Sequence, residues 1–142
     1  MPVVVERARA PLDETLAAEL ARIYVDSPDF TSPEAAAAVL RDAVADGDVL
    51  YMGLFNARHI AAVLVRGSGE TRYLRYLGVH PATRGRGVAE RLVAEVRRLE
   101  AERGAHWLVA DFDLSRQGVT DMLLALGFIP HGQGNYRCRL GN

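Results

Sequence analysis

The stretch VHPATRGRGVAERL, residues 79–92, sets two glycines and two arginines between a His-Pro pair and what reads as the first turn of a helix. The preceding LRYLGV (residues 74–79) has the make-up of a strand, so the stretch is a strand-to-helix loop. The first N–H groups of a helix have no partner inside it and carry the positive end of its dipole. Gly85 and Gly87 remove the Cβ atoms that would keep a phosphate from the backbone, while Arg84 and Arg86 add donors and charge at the rim. Charge-assisted hydrogen bonds contribute roughly 1.5–3 kcal/mol each, against the ~8 kcal/mol of a micromolar complex. The pattern suits a diphosphate; it also suits a glycine-rich turn with solvated arginines.

Working outward from the loop, the chain alternates element types without repeats or linkers. Val3–Val5 read as a short strand, and an alanine- and leucine-rich amphipathic stretch follows from about Asp13 to Val25. DSPDFTSP breaks it. Ser32, Pro33 and Glu34 form a helix start, and Ala35–Ala45 continue that helix until Gly47. VLYMGLF and HIAAVLV, joined by Asn56-Ala57-Arg58, predict a hairpin; GSG then turns into a third strand ending near Val79. Beyond the loop, Val88, Leu92, Val96 and Leu99 mark one apolar face of a long helix. WLVAD reads as a short buried strand, Asp121–Leu126 as a helix stopped by Gly127, and NYRCRL as the last strand. The expectation is a single α/β (α+β) domain over residues 1–142, with a central, mostly antiparallel mixed sheet flanked by helices.

Composition narrows the function classes. Seventeen basic against eighteen acidic side chains give a net charge of −1, and 49% hydrophobic with 25% charged residues is ordinary globular make-up. No global field draws such a protein to nucleic acid or to an anionic membrane, so any phosphate chemistry is local. The single cysteine, Cys138, has no intrachain partner. The start MPVVVERARA lacks the pattern of a signal or transit peptide, and no apolar run reaches membrane-spanning length. A cytoplasmic protein is expected.

Arg84-Gly85-Arg86-Gly87-Val88-Ala89 resembles the Q/R-x-x-G-x-G/A pyrophosphate loop of the GNAT acetyltransferase superfamily, and LGVHP and ALGF are similar to that family's flanking segments. The resemblance implies the GNAT fold with acetyl-CoA or CoA as cofactor. It implies that the backbone of Leu77, Gly78 and Val79 pairs with the pantetheine arm, and that Thr83, Arg84, Gly85, Arg86, Gly87, Val88, Ala89 and Glu90 hold the diphosphate. More narrowly, LFNARHIAAVLV, ATRGRGVAERLVAEV, ADFDLSRQGVTDMLLALGF and the ending NYRC resemble the PanZ (PanM) family, acetyl-CoA-binding GNAT-like proteins of pantothenate biosynthesis. Members of that family bind the aspartate decarboxylase precursor, promote its self-cleavage, and restrain the mature enzyme when acetyl-CoA is plentiful. The resemblance carries partner binding to Asn56. The chain departs from the family's best-known short members in the helix at PEAAAAVLRDAVADG and in Leu54, where they have arginine.

Acetyl transfer would need a neutral amine, an oxyanion donor and an acid for the departing thiolate. Similarity to catalytic GNAT proteins would put a tyrosine four residues before the glycine of LGF; here Leu123 stands there. Ser115 and Arg116 lie where an asparagine is often found. Two functions remain: an acetyl-CoA-dependent regulator of aspartate decarboxylase, or an N-acetyltransferase acting on a small-molecule or protein amine. Tyr136 or Tyr76 are substitute acids or strand tyrosines packing their rings. Asp111 and Asp113 are a general-base pair or solvated loop residues. His59, His80, His106 and His131 show no paired metal spacing, so no metal site is expected. Cys138 reads as core. On the long helix, Arg91, Arg97, Arg98 and Arg103 interleave with Glu90, Glu95, Glu100 and Glu102 as a solvated, ion-paired face rather than a nucleic-acid stripe.

Overall fold

Capping side chains set the first two helices. Asp13 Oδ1 accepts from Leu16 N–H at 2.8 Å and starts α1 (Glu14–Ile23), and Ser32 Oγ accepts from Ala35 N–H at 3.0 Å to start α2 (Pro33–Ala45), with proline in its first turn. The computed structural model describes residues 2–115 and 118–141. Its strands are β1 (Val4–Arg7), β2 (Val49–Phe55), β3 (Arg58–Arg66), β4 (Thr71–Val79), β5 (Trp107–Ala110), β6 (Ile129–His131) and β7 (Asn135–Arg139). They form one sheet in the order β1-β2-β3-β4-β5-β7-β6, antiparallel except where β4 meets β5. Two more helices, α3 (Val88–Glu102) and α4 (Val119–Ala125), complete the domain.

The continuous apolar runs of β2 and β3 follow from burial on both faces. On one face Val49, Tyr51, Ala61 and Val63 pack with Leu92, Val93 and Val96 of α3 and Leu123 of α4. On the other, Leu50, Met52, Ala62 and Leu64 pack with Leu20, Ile23 and Leu40 of α1 and α2. Leu54 joins this second core, which the two N-terminal helices cover.

Several details differ from the sequence reading, beginning with β1, which runs over Val4–Arg7 rather than Val3–Val5. The hairpin turn is two residues, Asn56 and Ala57, with Arg58 already in β3. A seventh strand, β6, pairs with β7; its three exposed residues, with Pro130 at the centre, show no periodicity to read. Helix α4 begins at Val119 rather than Asp121. Glu100 is not on the solvated face of α3: it is fully buried, accepting from Tyr51 Oη at 2.5 Å and Arg72 Nη1 at 2.7 Å, with Arg103 also upon it. Arg98 does pair with Glu95 and Glu102, as an exposed helix face should.

Candidate functional site

The sheet opens where β4 outruns β5. The two pair in parallel only as far as Leu74 and Ala110, and the Asp111 N–H on the Leu74 carbonyl at 2.8 Å closes the ladder. Strand β4 continues to Val79 with no partner on that side. Within this stretch Tyr76 takes φ +57°, and two residues of β4, Tyr76 and Leu77, stand opposite Val63 alone, a bulge in the strand. The Tyr24 hydroxyl from α1 holds the bulge by donating to the Tyr76 carbonyl, and it lies 3.3 Å from the Ala62 carbonyl. Burial and, secondarily, Asp29 push the Tyr24 phenol far above its ordinary pKa, so it stays a donor. His80 N–H bonds the Ile60 carbonyl at 2.7 Å. By alternation the backbone groups of Val79 therefore face the opening.

A cavity of about 370 Å³ occupies the opening. Leu77 and Val79 form its floor, and the loop contributes Thr83, Arg84, Gly85 and Gly87. Val88, Ala89 and Glu90 of the first turn of α3 line it as well. Phe112 and Asp113 after β5, Gly118, Val119 and Met122 at α4, and Ser27–Asp29 between α1 and α2 complete the wall. Gly85 and Gly87 both have left-handed backbones, φ +77° and +75°, so each is glycine for conformational reasons as well as for access. A Cβ on Gly85 would meet nothing within 4 Å. Gly87 is the N-cap of α3 and no side chain caps that helix, so its first N–H groups point their dipole end at the cavity unsatisfied.

Nine of the eleven residues expected to hold a cofactor line this cavity; Gly78 and Arg86 do not. Gly78 is glycine for another reason, since a Cβ there would stand 2.5 Å from the Tyr24 ring on the opposite face of the sheet. Arg86 is exposed, and its carbonyl takes a bond from Arg91 Nη1 at 2.9 Å. Thr83 Oγ1 donates to the His80 carbonyl at 3.0 Å, which shapes the turn. Arg84 donates from Nε to the Val79 carbonyl at 3.1 Å and from both terminal nitrogens to Asp26, at 2.6 and 2.5 Å. That carboxylate holds the Arg84 pKa above its usual value. The Asp26 link left no trace in the sequence, because the two residues lie far apart in the chain.

The residues weighed for catalysis are dispersed. Leu123 is fully buried in the core and presents nothing to the cavity; Met122 is its neighbour on the wall. No tyrosine, histidine or cysteine is among the described lining residues. Tyr76 packs at 4.8 Å on Phe30, Tyr136 packs against the main core, and Cys138 is buried there too. Asp113 lines the cavity and accepts from Ser115 N–H and Oγ at 2.9 and 2.6 Å, whereas Asp111 is exposed outside it. Arg116 lies outside the described residues. Among the described residues no group of three or more His, Cys, Asp or Glu is placed to hold a metal ion, and no helix is long and apolar enough to cross a membrane.

The family described as acetyltransferase (GNAT) domain, PanZ, matches residues 2–137. The chain belongs to the PanZ family of GNAT domains. It is 38% identical over 96 residues to the PanD regulatory factor of Escherichia coli, covering 67% of this chain and 75% of that protein. Among solved structures, a GNAT-family acetyltransferase from Desulfovibrio desulfuricans matches with a TM-score of 0.79 at 18% identity over 99% of this chain and all of that one. A GNAT acetyltransferase from Elizabethkingia anophelis with acetyl-CoA bound matches with a TM-score of 0.71 at 14% identity over 97% and 98%. These neighbours share the overall fold of the chain. Within this PanZ-family chain the residues around the opening between β4 and β5 fit a diphosphate-bearing cofactor: a helix N-terminus with no side-chain cap, two left-handed glycines and apolar side chains beside a strand end that β5 does not pair.

Proposed function

We propose that the protein binds acetyl-CoA, or CoA, in the cavity between β4, α3 and α4, and acts as an acetyl-CoA-dependent regulator and maturation partner of aspartate decarboxylase. The N–H groups at the start of α3, with Gly85 and Gly87, bind the diphosphate, and the Val79 backbone pairs with the pantetheine arm. Leu77, Val88, Val119 and Met122 exclude water along it. When bound, acetyl-CoA supplies a thioester whose acyl group the protein has only to recognise. The observation that carries this reading is a cavity with a helix N-terminus and two left-handed glycines on its wall and, among the described lining residues, no tyrosine, histidine or cysteine. The E. coli relative, named for its regulation of PanD, supports the partner.

Asp113, one of three acidic residues with Asp29 and Glu90 among the described lining residues, favours the second reading, an N-acetyltransferase, because a carboxylate on the cavity wall is a candidate base for an incoming amine. One experiment separates the two. Purified protein is mixed with the decarboxylase precursor with and without acetyl-CoA, and self-cleavage is followed; in parallel, thiol release is measured over a panel of amines and peptides. Faster cleavage only with acetyl-CoA, without thiol release, is the expected result. Turnover of several per second on any amine would sink the regulatory reading.

A further inference from the structure

Arg84 is the arginine of the loop that lines the cavity, and the structure shows its charge already engaged. Its guanidinium joins three elements: Nε bonds the end of β4 at the Val79 carbonyl, and the two terminal nitrogens fork onto the Asp26 carboxylate between α1 and α2. Residues 27–29, which follow Asp26, form one wall of the cavity. Besides this link the wall carries Ser27 N–H on the Tyr24 carbonyl at 3.1 Å, Asp29 N–H on Ser27 Oγ at 3.3 Å, and Phe30 against the Tyr24 ring at 5.5 Å. A phosphate could take Arg84 as its main partner only by displacing Asp26, whereas the N–H groups at the start of α3 are offered at no such cost.

We propose that Asp26 is a positioning residue for the cofactor cavity: through Arg84 it straps the Ser27–Asp29 wall to the end of β4. Arg84 serves the site as a strap rather than as a phosphate ligand. This deepens the cofactor reading above and rests on it for its affinity readout, but the strap itself is a property of the protein without cofactor. A strap and a phosphate ligand make opposite demands on Asp26. If Arg84 binds phosphate directly, Asp26 competes with the ligand and its removal strengthens binding. If Arg84 straps the wall, removing Asp26 weakens binding as removing Arg84 does, and removing both does no further harm.

The test uses the full chain. Calorimetric titration with acetyl-CoA should show Asp26→Ala and Arg84→Ala each weakening binding about five- to tenfold, with the double variant no weaker than either alone and Asp26→Asn in between. Tighter or unchanged binding by Asp26→Ala overturns the strap. Hydrogen exchange at the Ser27 and Asp29 amides, measured without cofactor, gives the second readout, and both single variants should exchange faster than wild type there while amides of the sheet are unchanged. Exchange no faster in the variants overturns the strap whatever the affinities. A wild type that fails to bind acetyl-CoA would sink the cofactor reading alone, and the exchange data would still decide the strap.

Discussion

Gly78 and Gly87 stand nine residues apart, and each is glycine for a reason that the other lacks. Gly78 makes room for Tyr24 behind the sheet, and Gly87 turns the chain at φ +75° in front of it while leaving the start of α3 open. Gly87→Val would put a branched side chain into a left-handed conformation, with its Cβ 3.3 Å from Arg91 Nη1, at the point where a diphosphate must approach. It is expected to weaken acetyl-CoA binding by about a hundredfold or more, roughly 2.7 kcal/mol, well beyond the loss in Arg84→Ala. Wild-type affinity in Gly87→Val, read by calorimetry, would remove the loop from the site. Glu100 poses a different residue-scale demand, because its carboxylate is fully buried with Arg72 at 2.7 Å and the phenol of Tyr51 at 2.5 Å. Arg72→Ala strips it of its most buried cation and should cost about 3 kcal/mol, the low end for breaking a buried pair since Arg103 remains. Urea unfolding at neutral pH checks this, and a cost under ~1 kcal/mol would mean that Arg103 suffices.

At the scale of elements, what could be read in the sequence was whatever local chemistry specifies. Ser32 with Pro33 announced the start of α2, an amphipathic stretch stood where α1 forms, the apolar runs announced β2 and β3, and Arg84–Ala89 announced the loop and the helix behind it. Strand β6 was hidden because three exposed residues around a proline carry no period. Glu100 was misplaced for the opposite reason: its spacing fits a solvated face, and its burial depends on Arg72 and Tyr51 from distant strands as well as on Arg103. The cavity was half legible. The loop and the end of β4 were in view, but the wall from residues 27–29 and the choice of Met122 over Leu123 depend on how the helices dock. The β2–β3 hairpin shows the same limit, since its existence followed from sequence but not its two-residue turn. Asn56 and Ala57 both have positive φ, +50° and +64°. Asparagine tolerates that backbone and alanine does not, so Ala57→Gly should stabilise the protein by about 1 kcal/mol in urea unfolding. Asn56→Gly should leave stability and acetyl-CoA affinity nearly unchanged, yet weaken binding to aspartate decarboxylase by roughly 1–3 kcal/mol if its exposed amide meets the partner. Equal affinities in saturating acetyl-CoA would leave Asn56 as a turn residue only.

Taken whole, the molecule has an unusual ionic make-up: all seventeen of its basic residues are arginine, with no lysine. Arginine keeps its charge through any accessible alkaline pH, so no ammonium group is lost between pH 9 and 12 to blur the titration of buried phenols. Two of those phenols hold the domain's faces together. Tyr24 fastens α1 to the bulge of β4, and Tyr51 ties β2 to α3 through Glu100. Burial raises both, and for Tyr51 the bond to the Glu100 carboxylate adds to it, with Arg103 opposing, giving a pKa of about 12. A folded-state pKa above the unfolded value near 10 means that the native state holds its proton more tightly, so the stabilisation is complete below pH ~10 and is lost as pH climbs through 12. Wild-type stability should therefore be level up to about pH 10 and fall steeply above it. Tyr51→Phe removes one of these protons together with its bond to a buried carboxylate, and should be less stable than wild type by about 1.5–3 kcal/mol at pH 8. Because the two proteins differ only at position 51, the difference between them isolates Tyr51, and it should shrink as pH rises from 10 to 12. Urea midpoints measured at half-unit steps from pH 8 to 12 give that difference directly; a gap that stays constant across the range would mean that the Tyr51 phenol keeps its ordinary pKa and that its bond to Glu100 does not tie the sheet to α3.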